Sequence, residues 1–307
     1  MSEEAAGSGF DRQNQLFYSQ EPTSYFRDRL TLLGLRAARS DALAEVVGDG
    51  FVWGQLKIGG GESQELSSEE EEARLTRFVI TESQVLLHHV SETLIRMFLA
   101  HAGRPQCPWL EMAALMDFKT FRAQVAELSA PLWPQGLRDD VADVFLGGTS
   151  TTEPTPGWDD AVDACVRLLR MLARHLNADS NLYNAAKHGM TLVPGEGYMG
   201  VFDEDGSAVT GSDGTQVVYL ERERVNRGEF KWFQTTRWLN PQQAVWVTTM
   251  AISQIEALWT VARWHYLDEP YEGLNLVTAE ALDSAVHGFP KPGAITQFRQ
   301  VIGVEKR

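Results

Sequence analysis

"NLYNAAKHGM", residues 181–190, decides how the rest of the chain is read. On a helix, Asn181, Asn184 and His188 are spaced by three and four and share one face, and Lys187 lies about one position around, beside His188. An imidazole flanked by amides and an ammonium has the chemistry to transfer protons and to hold an anion such as phosphate. The same residues also have a plain structural reading. A histidine followed by Gly189 is an ordinary helix end, and asparagines bond to nearby backbone.

The segments on either side set the architecture. Upstream, "WDDAVDACVRLLRMLARHLN" (158–177) places Trp158, Val162, Cys165, Leu169 and Leu172 on one side of a helix. Further upstream, "SSEEEEARLTRF" opens the longest predicted helix, 67–103. It has serine at the N-cap, glutamates where the helix dipole favours anions, and Gly103 with Pro105 as the stop. Its apolar stripe is Leu75, Val79, Leu86, Val90 and Met97. Downstream the period changes from helical to alternating at 197. Three β-like runs follow up to 238, with Asp-Gly turn signals at 205–206 and 213–214. Helix resumes at Asn240, an N-cap, and Pro241, and runs over 241–267.

The remaining segments are weaker. Phe26, Leu30, Leu33, Ala37 and Ala38 predict one or two helices over 24–47. The Gly-rich 48–64 reads as a loop or a brief strand. Its glycines 59–61 make no phosphate loop, because no Gly-Lys-Ser/Thr follows. Shorter helices are predicted over 110–130, 137–146 and 278–286, and 147–157 reads as a linker. The predicted fold is mainly α, a helical bundle with a small antiparallel β-meander inserted before the last long helix. Residues 68–103, 158–177 and 241–267 should supply its core. Residues 1–20 read as a flexible tail, 21–270 as the helical bundle domain with the β excursion at 197–238, and 271–307 as a short helix and tail.

Composition narrows the function classes. The chain has 307 residues, 43% hydrophobic and 22% charged, enough for a sizeable core. A formal net charge of -15 argues against general binding to polyanions but not against a local basic patch. Two isolated cysteines, Cys107 and Cys165, exclude a disulfide framework or a zinc ribbon. No apolar run reaches the ~18 residues of a membrane span, and the N-terminus carries no secretory pattern. The expectation is a cytoplasmic protein without a membrane partner.

Three other constellations carry some chemistry. Glu82, His89 and Arg96 are seven apart on the long helix and border its apolar stripe. They read either as groups turned into a bundle interior or as a helix-to-helix ion pair. His88 and Glu92 form a separate i, i+4 pair expected to face solvent. The β segment interleaves Arg222, Arg224, Arg227, Lys231 and Arg237 with Tyr219, Trp232, Phe233 and Trp238, a pattern that suits single-stranded nucleic acid. Glu221, Glu223 and Glu229 interrupt it, and alternating charge on a solvent face is the commoner origin of such a pattern. No Glu-x-x-His occurs in the helices and no Gly-x-Ser-x-Gly elbow anywhere, so neither a metal, a cofactor nor a serine hydrolase is expected.

A helical bundle whose late helix carries "YNAAKHG" resembles HEPN-like proteins, in particular members with a Tyr-Asn-x-x-Lys-His-Gly type signature before a β excursion. The resemblance covers about residues 70–270 by its pattern of elements. It implies a homodimer and, in many members, a metal-independent ribonuclease of defence or stress systems, built on an arginine, a polar residue and a histidine. Here Asn184 matches the polar residue and His188 the histidine, whereas Tyr183 stands where the arginine would be. Arg96 and Arg174 are the candidate replacements. The resemblance implies His188 and Asn184 as site residues, to which the spacing adds Lys187 beside them and His89, Glu82 and Arg96 on the long helix. RNA or a protein is the implied partner. The alternative is a non-catalytic helical module for dimerisation or partner binding.

Overall fold

The computed structural model describes residues 9–39, 49–58, 67–132, 135–148, 157–187, 192–205, 207–290 and 293–306. It is mainly helical, with a four-stranded antiparallel sheet. Two compact units are formed. One comprises Met1–Arg27, Leu87–Ser180 and Val245–Phe289, the other Asp28–Leu86, Asn181–Ala244 and Pro290–Arg307.

In the first unit, helices α1 (Asp11–Tyr18), α4 (Pro108–Ala114), α5 (Phe118–Ser129), α6 (Leu137–Leu146) and α7 (Trp158–Ala178) are joined by α9 (Pro241–Leu267) from Val245 onwards and by α10 (Ala279–His287). α7 is the centre, and α5, α6 and α10 all pack on it. Its buried residues include Val162, Cys165, Leu169 and Leu172 of the predicted stripe. Residues 110–130 form two helices rather than one, because Asp117 accepts from Thr120 N and starts a new helix there. Residues 11–18, expected within a tail, are helical. Asn14 and Tyr18 are buried, and Asn14 Nδ2 donates to the Gln106 carbonyl.

The second unit holds α2 (Ser24–Ala38) apart from its first residues, a hairpin of β1 (Phe51–Trp53) and β2 (Leu56–Ile58), and the first part of α3 (Ser68–His101). It also holds α8 (Ser180–Lys187) from Asn181 and the main sheet. The rest of α3 belongs to the first unit. α3 begins as predicted with serine at the N-cap, and the cap is reciprocal: Ser67 N donates to the Glu70 carboxylate at 2.8 Å, and Ser67 Oγ accepts from Glu70 N. Glycines 59–61 of the Gly-rich segment lie outside the described residues.

The sheet has the order β3-β4-β5-β6, with β3 Leu192–Phe202, β4 Ala208–Asn226, β5 Glu229–Trp238 and β6 Gln297–Lys306. It differs from the predicted meander in two ways. Asp213-Gly214 is not a turn: Gly214 pairs with Gly197 inside the β3–β4 ladder. The chain reverses after Asp203, whose Oδ1 accepts from Asp205 N and Ser207 N, and at Arg227-Gly228, where Gly228 takes φ 81°. The second difference is β6, which comes from the segment expected to be a tail and pairs with β5 from Arg237↔Gln297 to Glu229↔Lys306. Helix resumes where predicted, with Asn240 Oδ1 capping Gln243 N at 3.1 Å.

Ile80 and Val85 of α3, Leu182, Ala185 and Ala186 of α8, and Leu192, Val217 and Tyr219 of the sheet form the core that seats α8. Leu182 is 1% exposed. Leu182→Ala should therefore destabilise the protein by about 3 kcal/mol, since truncating a buried leucine costs ~2–5 kcal/mol. Urea denaturation followed by tryptophan fluorescence measures it. A loss below about 1 kcal/mol would mean that α8 is not seated in this core.

Candidate functional site

α8 is short and strongly two-sided. Leu182, Ala185 and Ala186 are buried, whereas Asn181, Asn184 and Lys187 are exposed. Of the residues predicted to share a face, Asn181 and Asn184 do so, and both are turned to solvent. The Lys187 ammonium lies 5.3 Å from the centre of the Tyr183 ring. His188 and Gly189 lie outside the described residues.

The long-helix stripe is half-buried at Glu82, His89 and Arg96. Glu82 accepts from Arg29 Nε at 2.9 Å, an ion pair within the second unit. Arg96 is more deeply committed. Its guanidinium binds Glu92 at 2.7 and 2.9 Å, donates to the Leu115 carbonyl and lies 3.8 Å from the centre of the Phe121 ring. All three nitrogens of the group are hydrogen-bonded and one of its faces lies on a ring, which gives Arg96 a packing role. Arg174, the other candidate for the missing arginine, is exposed. The pair expected to face solvent does not: His88 is 7% exposed, and Glu92 is used by Arg96. Arg96→Met, which keeps the stem and removes the guanidinium, should cost about 2 kcal/mol of stability. Hydrogen bonds to charged groups contribute ~1.5–3 kcal/mol. Chemical denaturation reads the loss, and a variant as stable as wild type would return Arg96 to the list of free functional groups.

Two further imidazoles, one buried and one half-buried, escaped the sequence reading. His101 is held between Tyr18 and the Met97 carbonyl, at 2.8 and 2.7 Å. The carbonyl can only accept, so Nδ1 carries the proton and Nε2 accepts from the Tyr18 hydroxyl. Tyr266 stacks on Tyr18 with ring centres 5.5 Å apart, and its hydroxyl donates to the Pro105 carbonyl. Burial raises both tyrosine pKa values, that of Tyr266 to about 12. Burial also lowers His101 to about 4, with His265 assisting and the Met97 hydrogen bond opposing. A small cleft at this point is lined by His101, Arg104, Asp143, His265 and Tyr266. With Tyr18, His101 and Tyr266 each held by a hydrogen bond, the network suits a rigid core.

The second imidazole, His175 on α7, donates from Nδ1 to Asp179 at 2.7 Å and lies 5.8 Å from the His88 ring. Its Nε2 is buried without a hydrogen-bond partner among the described residues. Cys165 is buried and donates to Gln254 Oε1, and burial pushes the thiol up to about 12, which removes it as a nucleophile. Among the described residues no group of three or more His, Cys, Asp or Glu is arranged to hold a metal ion. No helix among them is long and apolar enough to cross a membrane.

Compared with protein-family models, with curated proteins and with solved structures, the chain has no match. The functional reading therefore rests on the arrangement of its own residues.

His101 also makes a pH prediction. Its folded pKa lies near 4 against an ordinary 6.5, so the unfolded chain binds the proton more readily. The stability from keeping His101 neutral is fully present above about pH 6.5 and falls as the pH drops towards about 4. His101→Phe should flatten this part of the stability–pH curve relative to wild type, measured as urea midpoints. Parallel curves would refute the assignment.

Proposed function

We propose that the protein is a HEPN-like helical-bundle protein that binds rather than cleaves. On this reading it is a non-catalytic module for dimerisation or for a protein partner, located in the cytoplasm. The observation that carries the reading is the commitment of Arg96. The family's arginine position is held by Tyr183, and the half-buried replacement on α3 is already consumed by Glu92, Leu115 and Phe121. The exposed Asn181, Asn184 and Lys187 then form a polar contact surface whose geometry is fixed by the buried side of α8. The exposed amides there can hydrogen-bond to a second helix, as a homodimer would require.

The ribonuclease reading keeps one observation in its favour: Asn184 and Lys187 are open to a phosphate. In that reading His188 transfers the proton, and Asn184 orients it or the scissile phosphate, without a metal. A general acid–base group contributes ~10²–10⁴-fold in rate, so His188→Ala would abolish cleavage. The experiment is wild type and His188→Ala on mixed RNA with chelator present, alongside light scattering of wild type and Lys187→Glu. The module reading expects no cleavage by either protein and a dimer weakened by Lys187→Glu. Metal-free cleavage that disappears in His188→Ala would overturn it.

A further inference from the structure

Read along the chain, β4 mixes acids and bases: Glu221, Arg222, Glu223, Arg224. A strand sends successive side chains to opposite faces, and directly paired residues of an antiparallel ladder share a face. The register therefore sorts the charges. Glu221 and Glu223 pair with Phe233 and Lys231, on the face that carries Val217 and Tyr219 into the core. Arg299 of β6 lies on that face as well and bridges Glu221 and Glu223 at 3.0 and 3.1 Å. Arg222 and Arg224 pair with Trp232 and Phe230 on the other face.

That other face is open. Leu220, 56% exposed, continues its β4 row, Gln234 and Gln300 lie opposite each other beside it, and Phe298 is 40% exposed at its margin. The Arg222 guanidinium lies 4.4 Å from the centre of the Phe230 ring and 5.6 Å from that of Trp232. Arg227 is exposed at the hairpin turn that ends the same strands. Among the described strand residues, Glu305 is the single acid on this face. It is engaged by Trp232 Nε1 at 3.2 Å and by Arg222 at 3.9 Å.

We propose that this face of the sheet binds single-stranded RNA. Phe230, Trp232 and the Arg222 plane offer stacking surfaces that every base can use, and Arg224 and Arg227 meet the phosphates. The paired amides of Gln234 and Gln300 supply donors and acceptors for 2′-hydroxyls, which favours RNA over DNA. The surface is separate from α8 and holds whether or not His188 is catalytic.

The test is fluorescence anisotropy of a labelled oligouridylate of about 12 nucleotides, within the length range such platforms cover, with the full chain. Wild type should bind, more weakly as salt rises. Phe230→Ala should weaken binding about tenfold, the loss of one stacked base. Because that variant removes a partly buried ring, Arg224→Ala, at an exposed position, is the second probe. It should weaken binding several-fold and reduce the salt slope by about 1. Lys231→Ala removes the same charge from the opposite face and should leave binding unchanged. No binding by wild type at low salt, or equal losses in Arg224→Ala and Lys231→Ala, would overturn the proposal. Equal affinity for oligothymidylate would overturn the assignment to RNA.

Discussion

Leu182, Ala185 and Ala186 can be buried in only one orientation of α8, and that orientation turns Asn181, Asn184 and Lys187 to solvent. The helix has eight residues, too few to hold itself together in water, so its packing rather than its propensity decides how it lies. The same apolar cluster ends at Leu192, Val217 and Tyr219 and so fixes which face of the sheet is covered. One packing constraint thus sets both surfaces that remain available: the polar side of α8 and the arginine–aromatic face of β4 and β5.

The polar groups inside the chain are largely spoken for. Glu82 balances Arg29, and Arg96 ties its own helix to the Leu115 turn. His101 joins residues far apart in sequence through Tyr18. A buried polar group left without a partner costs about as much as several good contacts contribute, so such networks are maintained for stability before any other use. This separates residues that merely look like chemistry in the sequence from those exposed to a partner. It also explains why the mutations expected to cost stability differ from those expected to cost binding.

Local signals were legible and long-range ones were not. The Asn240 cap, the Ser67–Glu70 capping pair and the span Leu137–Leu146 follow from neighbours within four residues, and each is found where the residues place it. β6 could not be read, because "QFRQVIGVEK" becomes a strand only by pairing with an edge of β5 that lies about sixty residues earlier. Asp213-Gly214 carries a turn signal that the ladder with Gly197 overrides. Tyr18 and Asn14 sit in a polar stretch and are buried by partners 83 and 92 residues away. At the candidate site the shared face of Asn181 and Asn184 was legible from spacing alone. Its direction was not, because spacing does not say which side a core will take. The sorting of Glu221 and Arg222 to opposite faces was implicit in strand alternation, but it needed the register of β5 and β6 to show what accompanies each.

The outward orientation of α8 is the central claim, and thiol labelling tests it most directly. The native cysteines, Cys107 and Cys165, are buried, so a single introduced cysteine is reported against a quiet background. Asn184→Cys and Ala185→Cys place the probe on adjacent positions of the same helix, one exposed and one buried. With a maleimide under native conditions, the account predicts rapid labelling at 184 and strong protection at 185. Equal labelling of the two, or protection at 184 alone, would contradict it.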